Sequence, residues 1–194
     1  MKQSAQKYID DYMNFNRTKL LIFIIVACLA EAANSIVPTW EKVEHGITFS
    51  LKQIFPEQVK AFYIGRGFTT EQIKPYAATC IYTTVLRNDN APGRIHFIRN
   101  NWSINSQGIS QNIKTNADWL KLFKQVKPSA LIAFRLAQIP EEQEYEPNGD
   151  WNQGMLSVNL PIGSKFDITI RWDIKGKPYE LTLQEISCVE QPTN

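Results

Sequence analysis

The stretch KFDITIRWDI, residues 165 to 174, alternates without a break: Phe166, Ile168, Ile170, Trp172 and Ile174 are apolar, and the residues between them are polar. A period of two sends one set to a core and the other to water, so the stretch predicts a strand with one wet face. KGKP interrupts the pattern and YELTLQEISC resumes it, which predicts an antiparallel hairpin over residues 165 to 188. GITFSLKQ at 46 to 53 alternates in the same way, and GMLSVNLP presents Leu156, Val158 and Leu160. AATCIYTTVLRN and RIHFIRNNWSIN, rich in β-branched and aromatic residues, flank the breakers NDNAPG and read as two strands joined by a loop. ALIAFRLAQIP reads as a further strand, with Ile132, Phe134 and Leu136 on one face.

Three segments have helical spacing. In FPEQVKAFYIGRGF, Pro56 and Glu57 suit a first turn, Val59, Phe62 and Tyr63 share a face, and Gly65 and Gly67 end it. Thr70 and Ile73 suggest a short helical turn ended by Pro75. TNADWLKLFKQVK, residues 115 to 127, is the clearest helix, with Thr115 and Asp118 as a capping box and Trp119, Leu120, Phe123 and Val126 as an apolar stripe.

About seven strands with short turns and no βαβ alternation predict a mainly β fold. The expected architecture is an antiparallel two-sheet sandwich over residues 33 to 194, with two or three short helical insertions. With two cysteines on distant strands and several tryptophans, it resembles an immunoglobulin-like arrangement in outline. The resemblance implies architecture alone: Trp102 lies twenty-two residues after Cys80, further than that family's core tryptophan, and Ile186 stands where its corner tyrosine would be.

The first 32 residues have a different pattern. Leu20 to Ala30 is an apolar run of eleven, preceded by Arg17 and Lys19 and followed by Glu31. A bilayer span needs about 20 such residues, whereas the core of an export signal is this short. Ala30-Glu31-Ala32 predicts cleavage before Ala33, and a start at Met13 would give a compact leader. Two alternatives stand beside cleavage: lipid attachment at Cys28, because Ile25-Val26-Ala27-Cys28 resembles a lipobox, and a retained anchor. Each sends the body to the periplasm or cell envelope, and each leaves Cys80 and Cys188 as its only cysteines. In an oxidising compartment these predict one disulfide, closing a loop of about a hundred residues.

Composition adds exclusions. Of 194 residues 43% are hydrophobic and 21% charged, which suits a single ordered domain. Residues 33 to 194 carry seventeen basic and sixteen acidic side chains. Without a basic run, nucleic acid is not an expected partner, and Arg87, Arg94 and Arg99, like Lys121, Lys124 and Lys127, read as solvated. A membrane is expected only through the N-terminal segment, if it is retained or lipidated at Cys28.

No G-x-S-x-G, H-E-x-x-H, C-x-x-C, P-loop or G-x-G-x-x-G occurs, the Gly65-Arg66-Gly67 fragment is too short for a phosphate loop, and no cofactor is expected. The one unusual stretch is QIPEEQEYEPNGDWNQGM, residues 138 to 155, where Glu141, Glu142, Glu144, Glu146 and Asp150 gather around Tyr145 and Trp151. Tyr145, Asp150, Trp151 and Asn152 form the candidate binding loop, since aromatic and amide side chains together offer stacking and hydrogen bonds. A solvated turn with Trp151 covering the edge of the core is the plainer alternative.

The leading expectation is therefore an exported, non-catalytic domain that binds a protein or an envelope polymer through its loops. One alternative is a copper-binding or copper-delivery domain using His45, His96 and Met155, although no two of these have ligand spacing. Another is a carbohydrate-active enzyme using a pair of the clustered carboxylates as acid and base.

Overall fold

The computed structural model describes residues 37 to 191. Met13, Cys28 and the cleavage site before Ala33 lie outside the described residues. The body is mainly β and forms two antiparallel sheets. The first has the order β1 (Thr39–Glu44), β2 (Ile47–Ile54), β3 (Thr79–Asn88), β8 (Asp150–Pro161). The second is centred on β9 (Lys165–Ile174), with β10 (Lys177–Ser187) on one side. Along the other side of β9 run β4 (Ile95–Ile98) and β5 (Ser103–Ser106), which carry β7 (Glu142–Tyr145) and β6 (Ile109–Asn112) outside them.

RIHFIRNNWSIN is thus one interrupted strand. β4 and β5 both pair with β9, but their registers differ by three residues, the length of the 3-10 turn Arg99–Asn101 between them. The turn tucks Arg99 inward at 3% exposure. Its guanidinium donates to the Ile139 carbonyl at 2.8 Å, Asn116 Oδ1 at 3.1 Å and Glu141 Oε1 at 2.9 Å. A buried cation needs such partners, and these tie two separate segments, 139–141 and the one that begins at Asn116, to the sheet.

Three hairpins close on two-residue turns: His45-Gly46, Gln107-Gly108 and Lys175-Gly176, with φ near +53° and +79° in each. That is the type I′ turn, whose twist matches paired strands. The alternation marked only the third of these turns, so β1 and β6 are strands beyond the sequence reading. An x-Gly pair between short alternating runs was the available signal for both.

Among the described residues there are four helices, where two or three were expected: α1 (Pro56–Ile64), α2 (Thr70–Ala77), α3 (Asn116–Leu122) and α4 (Pro128–Ala137). The segment expected as a strand at ALIAFRLAQIP is α4. In a helix, residues two apart lie on opposite sides, and here Phe134 is buried while Ile132 and Leu136 are 53% and 81% exposed. Pro128, which directly follows the stretch expected as a helix to Lys127, is the first residue of α4. Consequently α3 stops at Leu122 rather than Lys127. The Thr115–Asp118 capping box is formed as the spacing predicts. α2 runs through Pro75 to Ala77, because burial of Ile73, Tyr76 and Ala77 outweighs the one backbone donor the proline lacks.

These helices form a layer on the outer side of the first sheet. Ile81 and Met155 of that sheet pack with Val59, Tyr63, Ile73, Tyr76, Trp119 and Phe134. Cys80, Tyr82 and Leu86, on the other face of β3, join Phe49, Trp102, Ile168 and Ile170 between the sheets. In the helical core Gln138 donates to Tyr63 Oη at 2.8 Å and accepts from Tyr76 Oη at 2.9 Å, and burial pushes both phenol pKa values up.

Cys80 of β3 is disulfide-bonded to Cys188, just beyond β10, so the bridge joins the two sheets near their strand ends. The chain after it is held too. Gln53, buried in β2, donates to the Val189 carbonyl at 2.7 Å and accepts from its N–H at 3.0 Å.

Candidate functional site

The register of the first sheet determines what its outer face presents beyond the helices. Side chains alternate, so partners two residues apart make rows across β1, β2, β3 and β8. Thr39, Lys52, Thr83 and Met155 form one row, Glu41, Ser50, Val85 and Gln153 the next, and Val43, Thr48, Arg87 and Trp151 the last. Adjacent rows are about 7 Å apart. Met155 is covered by helices, whereas Trp151 is 53% exposed.

A groove of about 730 Å³ lies where the helices meet this face, floored by Lys52, Thr83, Gln153 and Met155 and walled by Phe62 and Leu136. Arg87, beside Trp151, is held by Asp89, and Thr48 donates to the same carboxylate. Those hydrogen bonds, Thr48 first and then Arg87, hold the Asp89 carboxyl below its usual range.

The candidate loop residues are not brought together as a loop. Trp151, Asp150 and Asn152 belong to strand β8, and only residues 146 to 149 turn. Tyr145 is a core residue at 2% exposure, packed on Phe97 at a ring distance of 5.6 Å. Its pattern position opposite Ile95 in β4 turns it inward. It offers no ring to a ligand at the surface. Asn152 is half-buried, and Asp150 accepts from the Glu146 N–H at 3.1 Å. Trp151 therefore stands alone of the four as an exposed aromatic, and it does not cover the core's edge.

The acids of the same segment each have a partner. Glu141 bonds Arg99 and caps the N–H of Asn116 at 2.6 Å; Glu142 bonds His96; Glu144 and Glu146 grip Arg94 at 2.9 and 2.6 Å. What reads in sequence as an acidic cluster is strand β7 and its flanks, where Glu141, Glu142, Glu144 and Glu146 answer cations of the 94–99 segment and Asp150 caps a backbone N–H.

His96 sits between two carboxylates on the outer face of the second sheet, Nε2 at 2.8 Å from Glu142 Oε1 and Nδ1 at 3.2 Å from Asp173 Oδ2. The bond to Glu142 raises its pKa above the ordinary 6.5; burial opposes this, and the bond to Asp173 then adds to the rise. The sign follows from linkage: protonated His96 stabilises the fold fully below pH about 6.5, and this is lost as pH rises through the higher folded value. His96→Gln should flatten that part of the stability-against-pH curve, checked by urea midpoints between acid and alkaline buffers. An imidazole titrating below the unfolded value by NMR contradicts the assignment.

The metal candidates lie apart in their bonding. His45, in the β1–β2 turn, packs on Tyr179 at 5.3 Å, and Met155 Sδ accepts from Tyr63 Oη at 3.4 Å. Among the described residues no group of three or more His, Cys, Asp or Glu side chains is arranged to hold a metal ion. No family model, no curated protein and no solved structure matches the chain.

Proposed function

We propose that residues 37 to 191 are an exported, non-catalytic binding domain that holds a protein or an envelope polymer against Trp151. The observation that carries this is a tryptophan 53% exposed on an open row of a rigid sheet, beside Arg87 and two residues from Gln153. Indole offers a large apolar plane at low entropic cost, and a guanidinium and an amide beside it supply directional hydrogen bonds. The Cys80–Cys188 bridge supports export, and among the described residues no helix is long and apolar enough to cross a membrane. The recognition element moves from a loop to the start of strand β8, where the sheet fixes its geometry.

Trp151→Ala tests the reading. The variant should melt within about 2 °C of the parent, as surface substitutions do, and lose retention on immobilised envelope glycans or proteins that the parent binds. A destabilisation of about 3 to 5 kcal/mol, the range for a core aromatic, would make Trp151 a packing residue instead. Equal retention of both proteins would remove it from the site.

A further inference from the structure

The near-neutral charge of the body hides a segregation. Residues 55–78 and 114–137, which make the helical layer and its connections, carry eight basic side chains and three acidic ones. Residues 138 to 194 carry four basic and ten acidic ones. Within the layer, Lys60, Lys74 and Lys121 pair with Glu57, Glu71 and Asp118. Arg66, Lys124, Lys127 and Arg135 are exposed and, among the described residues, have no carboxylate partner. The same layer exposes Ile64 at 45%, Leu122 at 45%, Ile132 at 53% and Leu136 at 81%.

Helix α4 makes the point most directly. Its inner side buries Ala130 and Phe134, and its outer side carries Ile132 and Leu136 one turn apart with Arg135 beside them. A surface helix normally shows water a polar face, so an apolar outer side marks a face that another surface covers.

We infer that the helical layer is a peripheral docking face for an anionic lipid bilayer, with Ile132 and Leu136 entering the headgroup boundary and the unpaired cations of the layer meeting lipid phosphates. Charge complementarity supplies the attraction, at about fivefold in affinity per basic side chain near the surface. The apolar side chains are single and spread among cations over three helices, which suits a fluid interface, whereas a protein hot spot gathers aromatic anchors in one packed pocket. Leu136 also walls the groove floored by Gln153, so this surface borders the sheet face that carries Trp151, and Trp151 itself is not part of it.

The experiment is vesicle co-sedimentation of the full chain with phosphatidylcholine alone and with phosphatidylcholine mixed with phosphatidylglycerol, at low and high salt. Any contribution of the N-terminal segment is common to all variants. The parent should bind the anionic vesicles more tightly and release them as salt rises. Lys124→Glu with Lys127→Glu should cost more than twentyfold, and Ile132→Ser with Leu136→Ser should weaken binding that salt no longer fully controls. Thermal melts like the parent's confirm that these exposed substitutions leave the fold intact. Equal binding to neutral and anionic vesicles, or anionic binding unchanged in both double variants, overturns the inference. So does tighter binding of a short DNA duplex through the same lysines, which would make the face a nucleic-acid surface.

Discussion

Replacing Cys80 and Cys188 together by alanine is expected to lower stability by about 2 to 5 kcal/mol, the largest share of it from the unfolded chain. The bridge spans a sequence separation of 108 residues, so cutting it frees a loop of roughly two-thirds of the body in the denatured ensemble. It also joins the sheets beside the Gln53–Val189 pair, and those two hydrogen bonds then hold the end of the chain without covalent support. For a body of this size the melting temperature should fall by roughly 5 to 15 °C. The urea m-value should rise, because an uncrosslinked denatured state exposes more surface. An unchanged midpoint, or an intact mass that does not gain two hydrogens on reduction, contradicts the expectation.

The second large effect is expected from one methyl group. Gly154 lies in β8 where the chain leaving α4 crosses it, and a Cβ there would stand 2.2 Å from Ile139 N and 2.4 Å from the Gln138 carbonyl carbon. Both are backbone atoms, so no side chain can swing away. Gly154→Ala must push back the 138–139 segment, breaking the Ile139 N–H bond to the Met155 carbonyl and pulling Gln138 from between Tyr63 and Tyr76. Buried hydroxyls would lose their partner at the same time, and the total should reach about 3 kcal/mol or more. Gly149→Ala is the control. That glycine has φ +96° with nothing near its absent Cβ, so strain alone applies, at about 1 to 2 kcal/mol. Equal melting temperatures for the two variants would refute the close-approach argument.

The site was legible in part, for reasons particular residues make plain. Trp151 stood out as an aromatic among turn formers, but neighbouring residues do not say whether a tryptophan covers a core or faces water. Register does, and register depends on β3, more than sixty residues away. Tyr145 misled because β7 is short and polar on its other positions; only its pairing with Ile95 turns it inward. The acids read as a solvated cluster because Arg94, His96 and Arg99, the partners of Glu141, Glu142, Glu144 and Glu146, lie more than forty residues upstream. Leu136 was placed on a strand face because a two-residue period in ALIAFRLA also fits a helix that is apolar on both sides.

Period-two alternation determined β2, β9 and β10, and the cysteine count determined the bridge, because each is a statement about local geometry or about the one partner available. Capping chemistry likewise set the start of α3 from two residues three apart. The tertiary structure alone decided which strands are neighbours, that α4 is a helix with an uncovered apolar side, and that the basic segments 55–78 and 114–137 come together in one helical layer. Those are facts about which distant segments share a surface. Burial and electrostatics act through space, and no window along the chain contains them.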